Sequence, residues 1–363
     1  MAVANIAQSV VRDCLRLKED EPVIITTYPH TMDLANQLAI ECYKVGADPF
    51  IQLETDEWFY GQFKHLTVEQ LRKTSKHCLG LNDYVAAYIS LGGPKDPAPM
   101  KKVPKERFTA MFQGEQGHYE AALQKKSSRS VSIALGQVTK ERAKTYGFPH
   151  SAWMKNVTDA LSVKYVDLQN KGKHLAGYLS GSGDAHLTAP NGTDLRFRLD
   201  SRRVHVYDGI IDDEDLAKDS RFASLPAGEV ATTADETSAN GMVIFDVATP
   251  QVGLMIQNMS WTFKDGHLVD FSARKNVEAT KAFYDAASGG KDMLSSIGIG
   301  INPRAKPSFL HAYLAAGAVS VGIGENRELG GKVQSDYEFA GTLSKATVDV
   351  AGKRIVEKGR IIV

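Results

Sequence analysis

Apolar and polar positions repeat along this chain in two rhythms, and the change between them falls before its middle. Residues 2–17 (AVANIAQSVVRDCLRL) place apolar side chains at helical spacing. EPVIITTY (21–28) is a short β-branched run of the kind that a strand buried in a parallel sheet shows. TMDLANQLAIECYKVGA (31–47) returns to helical spacing and stops at Gly46, and DPFIQLE (48–54) predicts a second strand. TVEQLRKTSKHCLGL (67–81) predicts one helix capped by Thr67, DYVAAYISLGG (83–93) a third strand and SSRSVSIALG (127–136) a fourth. This alternation predicts a doubly wound, mostly parallel sheet.

Beyond it the pattern changes. SAWMKNVTDALS (151–162) is helical and leads into HLAGYLS, after which HLTAPNGTDLRFRLD (186–200) alternates about an Asn191-Gly192 turn, as an antiparallel hairpin does. GMVIFDV, GLMIQNMSWTFKDGHLVDFSA and ATVDVAGKRIVEKGRIIV are further strands, interrupted by one helix, NVEATKAFYDAA (276–287). The expected architecture is an α/β domain over 1–165 followed by a β-rich domain over 166–363 that carries the site.

Charge removes several function classes. The 363 residues carry 43 basic and 43 acidic side chains, a net charge of +0, so no field of one sign is available to draw in nucleic acid or an anionic membrane. Lys125, Lys126 and Arg129 read as a solvated helix end. No window approaches the ~18 uninterrupted apolar residues of a membrane span, and the N-terminus reads as an amphipathic helix rather than a signal peptide. Cys14, Cys42 and Cys78 form no CxxC pair, which excludes a zinc finger or disulfide framework and suits a reducing cytoplasm.

Candidate chemistry gathers in the second half. In LPAGEV (225–230), Pro226 and Gly228 pin a tight loop with Glu229 at its end. Such a carboxylate is either a metal ligand or general base, or a turn residue capping backbone N–H groups. GIGIN (298–302) and GIGEN (322–326) read as strands whose glycines answer to a ligand or to a crowded backbone, with a nucleotide cradle in GIGENRELGG as an alternative. GSGDAH (181–186) is glycine-rich without a phosphate-loop pattern, and its Asp184-x-His186 pair is weak alone. His311 is expected to pack within its helix. No HExxH or GxSxG is present. GGKVQSDYEFAG (330–341) reads as a glycine turn entering a strand of the site.

Taken in order, PNGTDLRFRL, LPAGEV, SANGMVIFD, GIGINP, GIGENRELGGKVQSD and VDVAGKRI resemble the aminopeptidase T family of metallopeptidases. That resemblance implies a homodimer with the two domains above, and a two-metal centre of zinc, cobalt or a similar ion that activates water against the N-terminal peptide bond. Carried over position by position, the first glutamate is Glu229, and the second falls on Ser296. A histidine falls on Ser320, a tyrosine near Asn326, and the closing histidine and aspartate on Glu338 and Ala340. One ligand is kept, one is exchanged for another possible ligand, and at least three are gone.

The oxygen donors left, Glu229 and Glu338 with Asp336 or Glu325, leave a single site for a divalent ion, zinc, manganese or magnesium, and three oxygen ligands favour a hard cation such as magnesium, manganese or calcium. A ring-cleaving 2,5-dihydroxypyridine dioxygenase looks similar in fold, and the resemblance places its iron ligands on Ser296, Glu338 and Ala340. The expectation is an aminopeptidase-T-like protein acting on a small polar, aminoacyl or peptide substrate, with whether it is an enzyme left open. Glu229 and Glu338 are its acid–base or metal-binding groups, and Ser296, Ser320, Glu325, Asn326 and Asp336 line the pocket. The alternatives are a metal-independent enzyme of other chemistry and a ligand-binding homodimer without turnover.

Overall fold

A computed structural model describes residues 2–124, 128–251 and 253–363. Contacts divide the chain into two compact units, one formed by Met1–Tyr165 with Gly209–Pro226, the other by Val166–Asp208 with Ala227–Val363.

The first unit holds a parallel sheet in the order Asp48–Leu53, Pro22–Thr27, Ala87–Ser90, Arg129–Ile133 and Phe222–Leu225. The strand order reverses direction about Pro22–Thr27, as a doubly wound sheet requires. One face is apolar: Val23, Ile25, Ala87, Ile89, Val131, Ile133 and Leu225 are buried. The other carries Thr26, Tyr88, Ser90, Ser130 and Ser132 beside the buried Ile24.

Two local expectations are corrected here. Residues 67–81 form two short helices, Val68–Leu71 and Lys76–Leu81. Thr67 caps the first in a reciprocal box with Gln70, and Ser75 accepts the Cys78 N–H to start the second, so a second cap breaks the run. Arg129 is no solvated helix end. It opens a strand, is buried, donates to the Leu15 carbonyl at 2.8 Å and pairs with Glu21 at 2.6 Å. Lys125 and Lys126 lie outside the described residues.

The second unit is an antiparallel sheet system whose main run is Glu338–Leu343, Val319–Gly324, Leu294–Gly300, Glu229–Ala234, Asp194–Tyr207, Ser182–Thr188, Thr347–Val350, Lys353–Glu357 and Arg360–Ile361. Val230, Ile297, Ile299, Val319, Val321, Ile323, Phe339 and Leu343 are buried on one face of its first four strands. Trp261 extends that core, with Phe245 and Phe271 against its ring edge to face. Helix Val277–Ala286 flanks the sheet. His186 pairs with Asp194 at 2.7 Å. Among the described residues no helix is long and apolar enough to cross a membrane.

Candidate functional site

The strand register assembles the site, because residues directly opposite each other share a face and the faces alternate. Tyr207, Glu229 and Gly300 lie in one row. His205, Ala231, Gly298, Ser320 and Thr342 form the next. Ser296, Gly322 and Ala340 form a third, and Glu338 lies beside it on the edge strand, opposite Gly324. All share the face turned away from the isoleucine and valine core. Its floor is glycine, alanine and serine, with carboxylates and aromatic rings around it.

Glu229 is fixed at its entry to the strand from both sides. Gly228 N–H donates to the Tyr207 carbonyl at 2.8 Å, and Ile301 N–H to the Gly228 carbonyl at 2.8 Å. Gly228 has φ +128°, and a Cβ there would lie 2.6 Å from the Asn302 Cβ, so this turn requires glycine. Asn302 in turn donates from Nδ2 to the Ala227 carbonyl at 2.8 Å.

The Ser320 hydroxyl donates to Glu229 Oε1 at 2.8 Å. Burial pushes the Glu229 carboxyl up to about 7, and the Ser320 bond offsets only part of that rise. Burial, with the Glu229 charge behind it, pushes the Tyr207 hydroxyl up to about 12 and raises that of Tyr313 further. The His205 and Tyr207 rings stack at 5.9 Å.

Gly298 makes the pair possible. A Cβ there would lie 2.1 Å from Glu229 Oε1 and 2.3 Å from Ser320 Oγ. Gly298→Ala is therefore expected to drive the two side chains apart and to destabilise the protein by about 1–3 kcal/mol through overpacking. A thermal melt reads the loss, and the carboxyl 13C titration of Glu229 reads its changed environment. An unchanged titration would mean that the pair does not depend on this space.

The remaining sequence candidates are dispersed. Ser296 sits beside Ser295 over Gly322, whose Cβ would meet the Ser296 hydroxyl at 2.4 Å. Glu338 lies on the edge strand, and partial desolvation of its carboxyl, with the Glu328 and Glu325 charges nearby, raises its pKa. Glu325 accepts from Arg327 Nε at 2.7 Å and from the Ser335 N–H at 2.8 Å, which holds its carboxyl down at about 2. Asp336 accepts from the Ser288 N–H at 2.6 Å.

Asn326 is 2% exposed and fully engaged. It donates from Nδ2 to Glu236 and to the Ser295 carbonyl, each at 3.1 Å, and accepts from the Val333 N–H at 2.8 Å. Glu236 is itself clamped by Arg202.

This donor set does not fit a two-metal centre. Ser320 and Ser296 offer only neutral hydroxyls, Ala340 offers no donor, and Asn326 is committed to the buried clamp. Among the described residues no group of three or more His, Cys, Asp or Glu side chains is placed to hold a metal ion.

Sequence reasoning missed His205, Tyr207 and Tyr313. The first two were legible, because VHVY (204–207) continues the alternation of the strand past the point where the hairpin reading stopped. The register shift between Leu199 and Val204 hides that continuation. Tyr313 lies in a kinked 3₁₀ turn, Phe309–Leu314, and no periodicity marks it.

Known proteins agree with the architecture. Wild-type AmpT from Thermus thermophilus superposes with a TM-score of 0.75 at 19% identity, over 100% of this chain and 99% of that one. The 2,5-dihydroxypyridine dioxygenase of Pseudomonas putida KT2440 gives a TM-score of 0.65 at 13% identity, over 99% and 97%. In sequence, aminopeptidase PepS of Streptococcus thermophilus is 24% identical over 301 residues, 76% of this chain and 71% of that protein. The model of the thermophilic metalloprotease (M29) family matches residues 1–295, and with the fold and the motif order this places the chain in that family, as a member whose metal-binding cluster is incomplete.

Proposed function

We propose that this protein handles a small polar or aminoacyl compound on the Glu229 face and works by metal-independent general acid–base chemistry. The observation that carries the reading is the Glu229–Ser320 pair: a carboxyl lifted to about 7, in hydrogen-bond contact with a hydroxyl at 2.8 Å. A base whose pKa lies near the working pH is well matched to proton transfer. The relative named aminopeptidase PepS supports acyl compounds as the substrate class.

The step balances without a metal. Glu229 accepts the proton of a hydroxyl, with Ser320 already in place to supply one. The oxygen adds to an acyl carbon, and the amine or alcohol that leaves takes the proton back from Glu229. A water deprotonated by Glu229 then adds to the Ser320 ester, and the serine leaves with that proton as the acid is released. Glu338, Tyr207 and His205 line the same face and are proposed to contact the substrate.

The test is turnover of amino-acid esters and anilides, with and without a chelator. Activity is expected to ignore the chelator and to rise through pH about 7, since the base must be ionised. Glu229→Gln is expected to lower it by roughly 100-fold or more. Turnover that requires added zinc or manganese, or that survives Glu229→Gln, overturns the reading. Saturable binding of free amino acids that depends on Glu229, without turnover, would replace catalysis by recognition.

A further inference from the structure

The first unit contains a second site that the Glu229 face does not explain. A parallel sheet covered on both sides reads as apolar on both faces. Here the second face is mixed, with hydroxyl side chains beside Ile24, Phe50 and Phe222. It presents the hydroxyls of Thr26, Ser90, Ser128 and Ser130, together with Tyr88, to a cavity of about 220 Å³. Helix Lys105–Leu123 supplies His118 and Ala122 to its wall, and Arg221 lies just before the strand Phe222–Leu225.

Two features of the wall speak to a ligand. The Arg221 side chain is only 4% exposed and meets Asp219, which is 81% exposed, at 3.0 Å. A guanidinium held inside a wall of hydroxyls favours an anion that can take several N–H and O–H donors at once. His118 Nδ1 is buried without a hydrogen-bond partner, so it can exchange one hydrogen bond with an occupant, and burial lowers the pKa of its ring. Its ring meets that of Tyr88 edge to face at 5.6 Å, so two aromatic rings set at right angles form a corner of the cavity. Tyr88 itself is anchored by its hydroxyl to Asn82 Oδ1 at 2.5 Å, and Asn82 to the His118 carbonyl at 3.1 Å.

We propose that this cavity binds a small organic anion, with its carboxylate or phosphate group on Arg221 and the serine and threonine hydroxyls, and an apolar ring in the corner that Tyr88 and His118 form. Size agrees. An apolar cavity of about 150 Å³ holds benzene, so the larger space here accommodates a ring that carries one anionic group. The site is separate from the Glu229 face and does not depend on the chemistry proposed there.

Calorimetric titration of the full chain with benzoate, with phenyl phosphate and with neutral benzyl alcohol tests this. Saturable binding of one or both anions, and not of the alcohol, is expected, and the preferred anion assigns the headgroup. Arg221→Gln should weaken it at least about ten-fold, the loss expected for a hydrogen bond to a charged group. Because Arg221 is buried and its loss can perturb folding, Ala122→Leu serves as an independent variant that narrows the cavity and should also abolish binding. Glu229→Gln should leave it intact. Absence of saturable anion binding, binding unchanged in both cavity variants, or binding lost in Glu229→Gln overturns the proposal.

Discussion

Arg202→Met is expected to lower the stability of the second unit by about 3–5 kcal/mol, the usual result of stranding one partner of a buried ion pair. The Arg202 and Glu236 side chains are 9% and 6% exposed, and they meet through both guanidinium nitrogens, Nη2 lying 2.7 Å from Oε2. Glu236 also accepts the Lys332 N–H at 2.8 Å and Asn326 Nδ2 at 3.1 Å. The carboxylate therefore ties the strand after Glu229 to the loop after Gly324. Burial alone would raise its pKa, but Arg202 and the Lys332 N–H outweigh it and hold the carboxyl down at about 2, against an ordinary 4.5.

A depressed carboxyl stabilises the fold fully above the unfolded value and loses that contribution as pH falls towards the folded one. Wild-type stability should thus decline between pH about 4.5 and about 2 by roughly 3 kcal/mol from this group. Arg202→Met should flatten that decline. Urea unfolding across this range measures both effects. Arg202→Met with Glu236→Gln should recover part of the loss, because no charge is then left buried and the amide oxygen still accepts from the Lys332 N–H and Asn326. A single variant that loses less than about 1 kcal/mol would show that the clamp is solvated.

Much of the first unit was readable because its strands are short β-branched runs between helical ones. EPVIITTY and DPFIQLE lie within a residue or two of the observed strands. The fifth strand, Phe222–Leu225, was not readable as a member of that sheet. It is four residues long, lies far along the chain amid the β-rich segment, and gains its place only by pairing with Arg129–Ile133. Helix Lys105–Leu123 was missed because its apolar contacts gather near its start, Phe108, Ala110 and Met111 meeting Phe63 and Leu71, and the rest of it shows no helical apolar stripe.

At the site, the motifs named the strands, and the register then decided which residues meet. Glu229 and Ser320 are distant in sequence yet form one hydrogen bond across a glycine. The glycines of GIGIN and GIGEN were legible as crowded positions, and the structure supplies the cause: Gly298 clears Glu229 and Ser320, Gly322 clears two serine hydroxyls, and Gly324 clears the Tyr337 carbonyl. Asn326 could not be separated from the pocket candidates by sequence, because nothing in GIGENRELGG shows that its amide faces Glu236.

Glu229→Gln should make the protein more stable at pH 8, by about 2–3 kcal/mol, while removing the activity proposed for it. A carboxyl raised to about 7 in the fold, against an ordinary 4.5, is harder to ionise folded than unfolded. The sign is opposite to that of Glu236. The destabilisation grows as pH rises from about 4.5 and is complete above about 7, so wild type and variant should agree at low pH and diverge through neutrality. Glutamine keeps an oxygen for the Ser320 hydroxyl to donate to, so the variant loses the charge and not the hydrogen bond. Parallel urea titrations at pH 4.5 and pH 8 decide the matter. A variant equal to or less stable than wild type at pH 8 would mean that Glu229 ionises freely in the fold, and the proton-transfer role would fall with it. A gain confined to high pH would identify a carboxylate that the sheet tolerates at the expense of stability, which is the stability–activity conflict expected of a reacting group.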